Sequence, residues 1–336
     1  MSKVVTLGEI LARFSTTAGT RISHIDHMQV VYGGGEANVA ISLANFGHVV
    51  SFASKVPDNA LGEAVKRHLK SHNVSTEFLL QGGPRLGTYY MEAGVGERGA
   101  SVFFDRAGSS FAVMNDIEWN LSELFKDVDI FHVSGIVSAV SVAWRDMAVE
   151  LVKAAKAAGC IVSFDVNYRG KMWSQAECGA VIQKILPYVD YCSAGHMDAL
   201  YLLGIPEAPS DVANELVYYY EKMHQIFPNI KLFYATKRDV VSASHNRLTG
   251  AIWHQKDGLV MSKTHEINPI IDRVGGGDAF SGGVLHGILS GWTLQESIDF
   301  GTAASALKHT VHGDTNLFSE REVSDFLAAG SGAIQR

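Results

Sequence analysis

The sequence predicts a doubly wound α/β fold: a mainly parallel sheet flanked by helices, with a small second β-sheet. Three observations carry that prediction. From about residue 115 onward, short β-branched runs alternate with amphipathic stretches, the pattern of a parallel sheet built from crossover units. Two early segments, 11–32 and 86–112, read instead as short strands around turn-rich sequence. The 336 residues are 47% apolar and 19% charged, enough to bury a large core.

The elements follow in order. A helix is expected over 36–46, a strand over 49–55 and a helix over 59–71. Strands over 88–92 and 101–105 flank Gly94-Val95-Gly96-Glu97-Arg98-Gly99, whose glycines suit a turn. The clearest helix is 141–159. Ser141 is its N-cap, Met147, Leu151, Ala154, Ala155 and Ala158 share a face, and Gly159 takes the left-handed position past the end. Strand 160–165 follows it. Further helix and strand pairs are expected at 175–186 with 188–193 and at 211–226 with 231–236, and 299–308 reads as a core helix. These segments divide the chain into a core (1–10, 33–85 and 113–336) and a β lid (11–32 and 86–112) over one sheet edge.

Composition narrows the function. With 28 Lys and Arg against 35 Asp and Glu, the net charge of −7 argues against a nucleic-acid backbone as partner. No stretch reaches the roughly 18 apolar residues of a membrane span, and the first residues are too short an apolar run for a signal segment. Cys160, Cys178 and Cys192 are widely spaced and odd in number, as suits a reducing cytoplasm. A small ligand is expected.

Two segments carry the chemistry. In Asp272-Arg273-Val274-Gly275-Gly276-Gly277-Asp278, three glycines open a helix and leave backbone N–H groups free to converge on an oxyanion. Asp278 in the first turn is kept ionised by the helix dipole and can accept a hydroxyl proton. A flexible turn with a capping aspartate fits the same pattern. In Gly33-Gly34-Gly35-Glu36-Ala37-Asn38, glycines allow close backbone approach and Asn38 offers a donor and an acceptor to hydroxyls, although a loop before a solvated helix start fits too. No GxxxxGK[ST] or GxGxxG motif occurs. Arg169, just past the strand ending at Asp165, and Arg106, past the second lid strand, offer planar forks suited to a carboxylate; each also suits a surface ion pair.

Both glycine segments, in this order and spacing, resemble those of the ribokinase-like (PfkB) carbohydrate kinases, and the resemblance spans essentially the whole chain. It implies an ATP-dependent kinase with Mg²⁺. Asp278 would be the catalytic base, and the amides of Gly275, Gly276 and Gly277 the anion hole. Asn167, Thr236, Asn246, Gly275 and Gly277 would lie along the nucleotide, with the 299–308 helix bordering the adenine.

The segments around Arg106 and Arg169 are similar to those of 2-keto-3-deoxygluconate kinases within the family. That likeness places Gly34, Asn38, Tyr89, Arg106, Arg169, Asp278 and Asp314 around a sugar acid phosphorylated on its terminal hydroxyl. A neutral-sugar kinase of fructokinase or ribokinase type is the alternative, and a non-catalytic sugar-binding regulator the alternative of another class. The chain departs from the family pattern at Arg273 and Pro57. It also has Gly195 and Asp198 in place of an Asn and a Glu, leaving Asp198 to reach the metal through water. A need for a monovalent cation stays open. The edges of the β lid are expected to be covered by a second copy, giving a homodimer.

Overall fold

A computed structural model describes residues 1–329. β1 (Lys3–Leu7), β2 (Leu11–Ser15) and β3 (Gln29–Gly33) lead into α1 (Gly35–Asn45), β4 (Val49–Val56), α2 (Ala60–Ser71), β5 (Leu79–Gln81), β6 (Thr88–Glu92) and β7 (Ser101–Asp105). Next come α3 (Leu121–Leu124), β8 (Ile130–Ser134), α4 (Gly135–Ala139), α5 (Val142–Ala157), β9 (Ile161–Asp165), α6 (Gln175–Ile185), β10 (Tyr191–Ser193), α7 (His196–Leu202) and α8 (Glu215–Ile226). The rest is β11 (Leu232–Ser242), β12 (His245–His254), β13 (Gly258–Met261), β14 (His265–Ile267), α9 (Gly276–Leu289), α10 (Leu294–Lys308) and α11 (Glu320–Ala329).

The large sheet has the order β13-β12-β11-β10-β9-β8-β1-β4-β5, with β14 also paired to β12. From β11 across to β5 every pairing is parallel. The chain leaves β1 toward β4 on one side and later returns to β8 on the other. Open sheets bind ligands outside the carboxyl ends of their strands at such a reversal. Ser134 and Asp165 end β8 and β9, and Glu9 follows β1. The small sheet has the order β3-β2-β6-β7. Its edge strand β7 exposes Phe103 and Phe104.

Local signals explain most helix ends. Ser141 accepts the Trp144 N–H and caps α5, and Gly159 beyond it has φ of +91°. Asn59 caps α2, while Ser174 and Thr293 open α6 and α10 with capping boxes. Some expectations are corrected. Ala158 faces solvent. The helix expected over 211–226 starts at Glu215, because the Asn214 side chain accepts the Leu216 and Val217 N–H groups and sets the first turn there. The strand expected over 188–193 is three residues, because a 3-10 turn takes Leu186–Tyr188. The strand expected over 231–236 runs on to Ser242 and pairs antiparallel with β12. No helix among the described residues is long and apolar enough to cross a membrane.

α9 is buried along most of its length against α1 and α10, and small residues set the spacing. A Cβ on Gly283 would come within 2.6 Å of the Gly301 Cα, and one on Gly282 within 2.6 Å of the Ser42 Cβ. Gly283→Val is therefore expected to lower stability by about 1–3 kcal/mol through overpacking. Urea unfolding should show a lower midpoint at unchanged slope; an unchanged midpoint would contradict the packing.

Candidate active site

The glycine turn is shaped by where it passes. Gly275, the N-cap of α9, has φ of +78°, and a Cβ there would overlap the Asp314 carbonyl oxygen. Only glycine meets both demands. The Gly276 N–H turns back to the Arg273 carbonyl, whereas those of Gly277 and Asp278 have no acceptor among the described residues. A Cβ on Gly277 would meet nothing within 4 Å, so the mouth of this helix N-terminus is open. An anion fits there, held by amides and by the positive end of the dipole.

Asp278 sits in that first turn. Asn38 Nδ2 donates to its Oδ2 at 2.7 Å, while Asn38 Oδ1 accepts the Gly34 N–H at 3.4 Å. Asn38, read as a sugar contact, thus also orients the carboxylate. Gly34 lies against the Glu9 carbonyl, with no room for a side chain. A Cβ on Gly35 would lie 3.8 Å from Asp278 Oδ1 and 4.0 Å from Asn167 Nδ2, which places those two side chains around one small gap. Asn167 takes φ of +40°, an uncommon value that Asn tolerates better than most residues, and donates to Asp165 Oδ2 at 3.3 Å.

Acids crowd this end of the sheet. Burial pushes Asp278 up to about 6, with the Asn38 hydrogen bond and Arg169 opposing. Burial, and then Asp278, pushes Asp165 up to about 7. Glu36, buried and bonded to the Ser134 N–H and hydroxyl, is likewise raised to about 7 by burial. Asp198 is raised by burial while it accepts the Gly195 N–H at 2.8 Å. Arg169 is exposed yet near enough to favour the charged forms of both Asp165 and Asp278, and it has no ion-pair partner among the described residues.

The other expected substrate residues are engaged with protein groups. Tyr89 donates to Asp314, whose other oxygen pairs with Arg13 at 2.6 Å; Arg13 also pairs with Asp272 at 2.6 Å. Arg106 is paired with Glu9 through Nε at 2.7 Å, and Ser109 donates to the same carboxylate. Arg13, Glu9, Glu36 and Asp272 were not singled out by sequence reasoning. Glu36 and Asp272 lie inside the two glycine segments, but nothing local marks Arg13 or Glu9.

Of the residues expected along the nucleotide, Thr236 lies in β11 opposite Gly250, half-buried. β11 and β12 are joined by a turn at 243–244. Asn246 is buried in β12, and neither polar atom of its side chain has a partner among the described residues. A cavity of about 1040 Å³ opens between β14, α10 and α11, bordered by Ile267, Pro269, Ile271, Ala306 and Thr310. Ile271 leads directly into Asp272 and the glycine turn. No cluster of three or more His, Cys, Asp or Glu among the described residues is arranged to hold a metal by itself. The oxygen donors Asp165 and Asp198 nonetheless suit a hard divalent cation that keeps waters and takes its remaining ligands from phosphates.

An anion hole beside a carboxylate of raised pKa, at the switch point of a doubly wound sheet, defines a phosphotransferase acting on a hydroxyl. The family model of the pfkB family carbohydrate kinases matches residues 1–321. The chain belongs to that family and is an ATP-using carbohydrate kinase with the ribokinase-like fold. It is similar to the solved structure of a PfkB family carbohydrate kinase from Listeria grayi, with 46% identity, a TM-score of 0.93, and coverage of 97% of this chain and 100% of that one. It is also similar to the 2-dehydro-3-deoxygluconokinase structure of Thermotoga maritima, with 34% identity, a TM-score of 0.93, and coverage of 98% and 100%. The 2-dehydro-3-deoxygalactonokinase of Haloferax volcanii is 29% identical over 100% of this chain and 99% of its own.

If Asp278 must be ionised to accept a proton, kcat/KM falls tenfold per pH unit below about pH 6 and is flat above it. Asn38→Leu removes the sole hydrogen-bond donor to that carboxylate among the described residues, so the acid limb should move upward. A limb that stays in place in this variant would separate Asn38 from the ionisation of Asp278.

Proposed function

We propose that the protein phosphorylates the terminal hydroxyl of 2-keto-3-deoxygluconate with ATP, giving the 6-phosphate. One observation carries the choice of an acid: the exposed Arg169 guanidinium beside Asp278, unpaired among the described residues, where a neutral sugar would have no use for a fixed positive charge. The related kinases of 2-dehydro-3-deoxygluconate and 2-dehydro-3-deoxygalactonate support the same reading. Because Arg106 is held by Glu9, Arg169 takes the carboxylate, and Arg106 shapes the pocket wall with Tyr89 and Asp314.

In the proposed reaction the hydroxyl oxygen attacks the γ-phosphorus, the bond from that phosphorus to the β-bridging oxygen breaks, and ADP leaves. Asp278 Oδ1, free of the Asn38 bond, takes the hydroxyl proton. The Gly277 and Asp278 amides face the oxygens of the moving phosphoryl group and favour the charge gathering there. Asp165 and Asp198 would hold Mg²⁺ through water, and that ion, when bound, neutralises charge on the phosphates. The cavity beside Ile271 and Ala306 takes the adenosine; Thr236, half-buried on β11, lies toward the phosphates, and the buried Asn246 backs that wall from β12. Closure of the small sheet over the sugar keeps water from the phosphoryl group. Its exposed Phe103 and Phe104 pair with a second copy, so sedimentation should report a dimer.

A coupled ADP-release assay across 2-keto-3-deoxygluconate, its galactonate epimer, fructose and ribose tests the substrate. The acids should lead by at least tenfold in kcat/KM; fructose or ribose in front would overturn the reading. Arg169→Ala should raise KM for the acids by roughly 10- to 100-fold and leave neutral sugars nearly unchanged. Asp278→Asn should cut kcat by about 10²- to 10⁴-fold, and near-normal turnover would remove it from the role of base.

A further inference from the structure

Lys308 is fully buried near the end of α10, a charged side chain among the largest that the core encloses. Nothing in the reaction above uses it. Its ammonium donates to the Asp272 carbonyl oxygen at 3.1 Å, at the first residue of the glycine turn. Around it stand Arg13 and the carboxylates of Asp272 and Asp314, two positive groups against two negative ones, with Asp278 close enough to feel the charge. A buried ammonium is costly unless its position repays the loss of water.

Four carbonyl groups near the turn are already committed. Asp272 O accepts from Lys308, His309 O from the Ile271 and Asp272 amides, Gly276 O from the Ser305 hydroxyl, and Arg273 O from the Gly276 amide. The Lys308 ammonium thus already sits on a carbonyl beneath the turn, where a dissolved monovalent ion would have to compete with a fixed positive charge.

We propose that Lys308 is a positioning residue, a covalently held cation that fixes the turn beneath the anion hole and makes phosphoryl transfer independent of any monovalent ion in solution. It acts through the turn without touching substrate. Its charge counters that of Asp314 so that Asp278 can ionise and an anionic phosphoryl group can settle on the helix N-terminus. The proposal rests on the kinase class alone, so whichever sugar the assay panel selects serves for the test.

Wild-type enzyme is assayed with Mg²⁺ and ATP as tetramethylammonium salts, then with added potassium, sodium or ammonium. Rates within twofold of one another are expected; activation of tenfold or more by any of these ions would overturn the proposal. Lys308→Met should fall about 10- to 100-fold in kcat with little change in sugar KM. Its acid limb should move upward, because Asp314, Asp165 and Glu36 then face Asp278 against Arg169 and the Asn38 amide alone, with His309 held neutral by burial. Lys308→Ala should regain part of its rate with ethylammonium. A folded Lys308→Met of wild-type kcat and unmoved acid limb would refute the assignment, and the wild-type arm decides alone if the substituted chains do not fold.

Discussion

The buried ion pairs of Arg13 with Asp272 and Asp314 are the constraint on which the site depends. Arg13 lies on β2 of the small sheet, Asp272 opens the glycine turn, and Asp314 follows α10 and carries the carbonyl against which Gly275 is pressed. Tyr89 on β6 closes the set from a second strand. Charges so deep are stable only while every partner is present; removing one leaves another stranded without water. The small sheet, the turn and the start of α9 therefore hold one another in place. The open amides of Gly277 and Asp278 owe their direction to that arrangement.

Against this fixed frame, the charged groups of the candidate site differ in their freedom. Arg106 and Arg169 look alike in sequence, but a carboxylate holds one and solvent surrounds the other. Glu36, Asp165, Asp198 and Asp278 are all raised by burial, and mutual repulsion adds to it for Asp278 and its neighbours Glu36 and Asp165. Glu36 and Asp165, at about 7, and Asp278, at about 6, exchange protons near neutrality. An incoming positive charge, whether metal or guanidinium, would ionise them further.

How much was legible in the sequence follows from how local each feature is. The parallel core was, because each crossover unit carries its own caps and periodicity: Ser141 and Gly159 delimit α5 with no help from elsewhere. β6 and β7 appeared at their expected bounds because the glycines between them mark the turn. The long β11–β12 hairpin was missed, because Lys237 to Val241 is exposed and lacks an apolar alternation; its ladder is held by backbone bonds to β12. Asp278 and the glycines stood out because a glycine run opening a helix is contiguous in sequence. The partners of Arg13 lie 301 and 259 residues away, and that of Arg106 lies 97 away, so no window of sequence pairs them. Lys308 did leave a trace, a lone charge on a helix face otherwise filled by small residues, though only packing reveals it as interior.

The close seating of α9 against its neighbours has a consequence for motion. Gly282 on Ser42, Gly283 on Gly301 and Gly287 on Ser297 leave almost no side chain between the backbones. Separating these helices would strip contacts along their full length at once, so the amide protons of α9 should be among the slowest in the chain to exchange with deuterium. The carboxylate of Asp278 thus rides on a tightly seated helix, and a ligand must come to it.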